Sequence, residues 1–198
     1  SVSGSLFDLE KLLNISKSYI SRLKASEVYE KALTWAKEFD TEFATILEKY
    51  KDYSISILNI EREQKKPRKD FESFSSIKSN IWYMYDEYFN NDVTYNFGKI
   101  TDKEEVKAIL KTYIEKYSDA ADDKDTWFHK IKDLTEELGD CADMKAYRDN
   151  PDMYKGSVAD VSTVIRVAAT TSSMTPDLYE ILKLLGKDRI ISRFYRFM

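Results

Sequence analysis

The sequence predicts an all-α fold of two packed helical subdomains, and three observations carry that expectation. Apolar residues recur at helical spacing in stretch after stretch, as in Val106, Ile109, Leu110, Tyr113 and Ile114. Capping residues stand at the heads of these stretches. Only five Gly and three Pro occur in 198 residues, beside abundant Leu, Lys, Glu and Ala, a composition that suits helix interiors better than a turn-rich sheet protein.

Taken in order, residues 6–22 (LFDLEKLLNISKSYISR) predict two short helices broken near Asn14. Ser26 is placed to cap SEVYEKALTWAKEF, whose apolar face is Val28, Ala32, Trp35, Ala36 and Phe39. Thr41 opens the next helix, and residues 53–60 form another short helical segment. The stretch 64–69 reads as a basic loop broken by Pro67. Residues 71–89 predict an aromatic-rich helix, and the turn composition of 90–98 marks the best internal boundary. The subdomains are therefore expected at 1–97 and 98–198.

In the second half, Thr101 and Glu104 form a capping-box pattern ahead of a helix running to residue 117. Asp125 caps WFHKIKDLTEEL, which Gly139 ends. A polar link with at most a short helix covers 143–154. Residues 157–170 are apolar and small enough for the middle of a bundle. Two more helices, from Thr175 and over 188–197, close the chain.

Composition excludes several function classes. The single Cys141 rules out an internal disulfide and points to a reducing, cytoplasmic compartment. No signal peptide and no apolar run near membrane-spanning length occurs, so no membrane partner is expected. The lone His129 has no nucleophile set beside it, one Cys and one His cannot make a zinc site, and no glycine-rich phosphate cradle exists. No catalytic residue, metal or cofactor is assigned to the chain itself.

Net charge is −4, mildly against a nucleic-acid partner, but its distribution matters more than its sum. Residues 62–69 (REQKKPRK) are basic, as are Lys183, Lys187, Arg189, Arg193 and Arg196 near the end. The loop DAADDKD (119–125) has the opposite sign. The two basic clusters are positioned in sequence to face one polyanion, with the acidic loop facing water; the plainer alternative for each is a solvated helix end.

The most informative stretch is 166–186, RVAATTSSMTPDLYEILKLLG. Thr175 reads as the N-cap, Pro176 as the first helical residue, and Asp177 adds negative charge to the first turn. Leu178, Ile181, Leu182 and Leu185 form a buried stripe, and Gly186 follows as the terminator. Amphipathicity accounts for all of this except Arg166, a charged residue at the end of a run that otherwise reads as buried.

The run 154–194, YKGSVADVSTVIRVAATTSSMTPDLYEILKLLGKDRIISRF, resembles the C-terminal anticodon-binding part of bacterial glutamyl-tRNA synthetases. Their pattern is V-R-x-A-x-T, a short loop, T-P-x-L-[YF]-E-I and L-G-x-x-R. WFHKIKDLTEELG, KPRKDF and LFDLEKLLNIS extend the resemblance over nearly the whole chain, in the family's order. One departure is Thr171, which stands where the family's loop has glycine.

The resemblance implies a class I synthetase α-helical cage that binds tRNA-Glu as a monomer, for a parent glutamate–tRNA ligase using ATP and magnesium. It implies that the nucleotide signatures H-I-G-H and K-M-S-K-S lie upstream of this chain, which begins as if in mid-protein at residues 1–5 and is expected to be inactive alone. It also implies that Arg166, Thr175, Pro176 and Leu178 read the middle anticodon base, and Arg68 of KPRKDF the third. The chemistry is coherent: unstacked anticodon bases expose their Watson–Crick edges, and a uracil edge offers O2 and O4 acceptors around one N3–H donor. The competing readings are the cage of another class I synthetase, such as the class I lysyl enzyme, and a helical protein–protein interaction module.

Overall fold

The computed structural model describes residues 8–90 and 92–198; the mid-protein start expected at residues 1–5 lies outside the described residues. The chain divides between Phe89 and Asn90 into two compact units. Among the described residues there are eleven α-helices and no strand, only an isolated parallel bridge between Cys141 and Ser157. The all-α expectation holds.

The first unit contains α1 (Leu9–Arg22), α2 (Ala25–Phe39), α3 (Thr41–Lys49), α4 (Lys51–Asn59) and α5 (Ile77–Ile81). Helix α2 is its centre. Val28, Tyr29, Ala32 and Ala36 are buried where α2 packs on α3 and α4, the alanines allowing close approach. The Tyr29 hydroxyl donates to the Leu47 carbonyl at 3.1 Å, so the polar tip is satisfied inside.

Three local expectations are corrected here. Helix α1 is continuous through Asn14, because Asn14 is exposed and the neighbouring Ser16 hydroxyl bonds outward to the Glu72 carbonyl instead of to its own backbone. The N-cap of α2 is Lys24 rather than Ser26; the Glu27 carboxylate accepts the Lys24 N–H at 2.8 Å and sets the start two residues earlier. Residues 71–89 are not one helix but α5 flanked by two 3-10 turns, Phe74–Ser76 and Trp82–Met84. Ring packing overrides helical propensity there: Tyr85 meets Tyr53 edge-on with ring centres 5.9 Å apart, donates to Ser54 Oγ at 2.8 Å, and Trp82 stacks on Phe89.

The second unit contains α6 (Lys103–Thr112), α7 (Lys124–Glu137), α8 (Met144–Asp149), α9 (Val158–Thr170), α10 (Leu178–Leu185) and α11 (Lys187–Tyr195). Its core is α9, where Val161, Val164, Ile165, Val167, Ala168 and Ala169 are fully buried against α6, α7 and α11. Ser157 and Asp160 cap α9: the Asp160 carboxylate accepts the Ser157 N–H at 2.9 Å. Asp123, not Asp125, caps α7 by accepting the Thr126 N–H at 2.8 Å, so the acidic loop is partly structural. Within it, Asp122 is not facing water: it pairs with Lys130 at 2.7 Å and its side chain is 8% exposed. Gly186, with φ +77°, links α10 to α11; a side chain would have room there, so the backbone conformation alone asks for glycine.

Candidate nucleic-acid interface

The residues singled out from the second half converge where α9 ends and α10 begins. Helix α9 terminates at Thr171, whose φ of +68° and ψ of −2° put a β-branched residue in the left-handed region. The following turn is knitted from within. Thr170 Oγ1 donates to the Arg166 carbonyl at 2.8 Å, and Ser172 Oγ accepts the Met174 N–H at 3.1 Å.

Arg166, one turn before the end of α9, closes this turn. Its Nη1 donates to the Pro176 carbonyl at 2.7 Å, to the Thr175 hydroxyl, and more weakly to the Thr175 carbonyl at 3.4 Å. The Thr175 hydroxyl itself donates to the Pro176 carbonyl at 3.0 Å. Arg166, Thr175 and Pro176 are thus one hydrogen-bonded group. This answers what amphipathicity left open: the arginine is half-buried because its Nη1 is bonded to the loop ahead of the next helix.

The start of α10 differs from expectation by two residues. Its N-cap is Asp177, whose Oδ1 accepts the Glu180 N–H at 3.1 Å, and Leu178 is the first helical residue. Thr175 cannot cap because its hydroxyl is engaged by Arg166 and Pro176, and the proline behind it favours extended backbone. Asp177 Oδ2 also holds Lys124 at 2.7 Å, tying the turn to the head of α7. Leu178 is 4% exposed; its side chain belongs to the core, so only its backbone stands at the turn.

Arg68 lies in the first unit, in the loop after α4. Its Nε donates to Asp70 Oδ2 at 2.5 Å, Glu61 Oε2 is 3.7 Å from Nη1, and its backbone N–H donates to the Glu61 carbonyl at 3.0 Å. Glu61 has φ +53°, so the loop turns back sharply there. Two carboxylates therefore orient the Arg68 guanidinium, which is about one-third exposed.

Neither basic cluster is a uniform solvated face. Arg62 is buried: Nε donates to the Leu58 carbonyl at 2.7 Å and Nη1 to the Ile20 carbonyl at 2.6 Å and Leu23 at 3.2 Å, with Phe71 against the guanidinium. Burial lowers its pKa, opposed by Asp70 and Glu63. Arg193 is 4% exposed and Nη1 donates to the Ala169 carbonyl at 2.7 Å, so α11 closes the end of α9. Both arginines are struts that charge counting misses. A signal existed, because Arg62 follows Leu58 by four positions and Arg193 sits between Ile190 and Phe194 on a buried stripe.

Residues 152–198 match the family model described as an anticodon binding domain, a span that contains the whole Arg166–Leu178 group. The chain is 44% identical over 99% of its length to the glutamate–tRNA ligase of Acetivibrio thermocellus, covering 35% of that protein. It is 40% identical over its full length to that of Clostridium perfringens strain SM101 (36% of the relative) and 32% identical over 98% to that of Sorangium cellulosum (34%). The chain spans about a third of the length of the curated relatives it matches. Over nearly its whole length the chain is thus similar to one part of glutamate–tRNA ligases, and its residues 152–198 match the anticodon binding domain model.

Proposed function

We propose that this chain reads the anticodon of a glutamate tRNA on behalf of a glutamate–tRNA ligase, the second unit taking the middle base and the first unit the third. The observation that carries the reading is the closed group of Arg166, Thr175 and Pro176 inside the matched domain. A uracil edge needs donors for O2 and O4 and an acceptor for N3–H. The turn offers a guanidinium, a hydroxyl and main-chain carbonyls in one place, held by hydrogen bonds before RNA arrives. Such preorganisation reduces the ordering cost of binding.

For the third base the proposed reader is Arg68. Asp70 on Nε fixes the plane of its guanidinium, and the Nη donors suit the O2 and N3 acceptors of cytosine. Guanine presents N1–H and amino donors instead, so donors would face donors, a repulsive element that selects tRNA-Glu over tRNA-Gln. Attachment of glutamate draws on ATP and magnesium in the whole ligase.

The test is binding of the 198-residue chain to tRNA-Glu transcripts carrying each of the four bases at the middle position. The wild type is expected to prefer uracil. Arg166→Ala is expected to lose about 5- to 150-fold of that preference, the equivalent of one good base contact. Arg166→Lys, which keeps charge but not the planar fork, is expected to fall between them. If both variants weaken all four transcripts equally, Arg166 is a loop strut and the base-reading role is wrong.

A further inference from the structure

The first unit carries an open groove of about 880 Å³ between the end of α1, the start of α2 and the loop after α4. Besides the buried Arg62, five cationic side chains border it, Arg22, Lys24, Lys65, Lys66 and Lys69, against one acid, Glu63. All five are exposed. Among the described residues, Arg22, Lys24, Lys65 and Lys66 have no ion-pair partner, and Lys69 is held only by the Ser18 hydroxyl at 3.0 Å. Several other lysines of the same unit are paired instead: Lys17 with Glu72, Lys37 with Glu48, Lys49 with Glu87 and Lys78 with Asp40. Five exposed cations around one groove of an acidic chain concentrate positive potential there.

The floor of the groove is stiff. Arg62 lies beneath it, binding the Ile20 and Leu23 carbonyls at the end of α1 and the Leu58 carbonyl of α4. That strut fixes α1 against the loop that carries Lys65 and Lys66. Among the described residues, the walls contain no aromatic side chain for a base to stack on. Lysines are flexible point charges without the planar fork that reads a base or a carboxylate edge. The chemistry therefore suits repeated phosphates along a chain rather than bases.

We propose that this groove holds the phosphodiester backbone of the RNA strand next to the base offered to Arg68, which lies between Pro67 and Lys69 of the same loop. The inference rests on the anticodon-reading function and adds to it a positioning surface. Arg68 would specify, whereas Arg22, Lys24, Lys65 and Lys66 set register and strength.

The experiment measures how affinity of the 198-residue chain for a tRNA-Glu transcript depends on salt. Two double variants, Lys65→Gln with Lys66→Gln and Arg22→Gln with Lys24→Gln, are compared with wild type and with a control pair, Lys31→Gln with Lys103→Gln. Each lost phosphate contact reduces the log–log slope by about 0.7–0.9. Each groove variant is therefore expected to flatten the slope by about 1.4–1.8, so that the loss between ~50 and ~200 mM salt shrinks about 7- to 12-fold. The ratio of affinities for transcripts differing at the middle base is expected to stay unchanged. If wild type binds tRNA with a clear slope and the groove variants match it, or match the control pair, the groove proposal falls and the anticodon reading stands. If wild type shows no salt-dependent tRNA binding at all, both fall.

Discussion

Thr171 offers a direct test of how the loop ahead of α10 is built. Its φ of +68° places a β-branched side chain where L-residues crowd their own carbonyl, at a cost of roughly 1–2 kcal/mol. Its backbone N–H donates to the Val167 carbonyl at 2.7 Å, a bond that any residue but proline keeps. Replacement by glycine removes the steric cost but adds about 0.4–1 kcal/mol of unfolded-state entropy. The net expectation for Thr171→Gly is a stabilisation of about 0.5–1 kcal/mol, which raises the melting temperature of the second unit by about 2–6 °C. Thr171→Ala keeps the Cβ and is expected to gain little. Calorimetry or circular dichroism on the three proteins decides the matter. A glycine variant no more stable than the alanine variant would mean that the turn imposes no strain and that the left-handed conformation is not what this position asks for.

Three further outcomes follow from named contacts. Arg193→Met keeps length but leaves the Ala169 carbonyl without its buried donor, so it is expected to cost about 2–3 kcal/mol, against about 0.5 or less for the exposed Lys187→Met; equal melting temperatures would refute the strut. Both carboxylate oxygens of Asp140 are buried without a hydrogen-bond partner, and burial, aided by Glu105, raises its pKa. A raised carboxyl pKa destabilises the fold above that pKa and ceases to do so below the unfolded value of 3.8. Asp140→Asn is therefore expected to melt higher than wild type at neutral pH, with the gap closing as pH falls towards 4 in a thermal-melt series; a gap that is absent or grows on acidification would sink this. Arg68→Gln replaces a donor-only group by one that also accepts, and in the full ligase it is expected to relax the preference for tRNA-Glu over tRNA-Gln in charging assays, whereas an unchanged ratio would remove Arg68 from third-base reading.

Much of this protein is determined by the sequence alone. Helical spacing and capping residues specify an all-α chain, and α9 reads as buried because Val161, Val164, Ile165 and Ala168 leave no polar face towards the core. The V-R-x-A run and the T-P-x-L turn likewise point, through the resemblance they carry, to one recognition element. Tertiary structure alone decided where the charges go. Arg62, Arg193 and Asp122 look like members of solvated charge clusters, yet each is buried on a partner remote in sequence or across a loop. The starts of α2, α7 and α10 moved for a related reason: several side chains could cap each helix, and the one that does is selected by its neighbours' competing bonds, as Arg166 and the Pro176 carbonyl take the Thr175 hydroxyl and leave Asp177 to cap. Periodicity records which face of a helix is apolar, but a hydrogen bond between distant residues has no period, and so the buried arginines and the closed turn become visible only when the chain is folded.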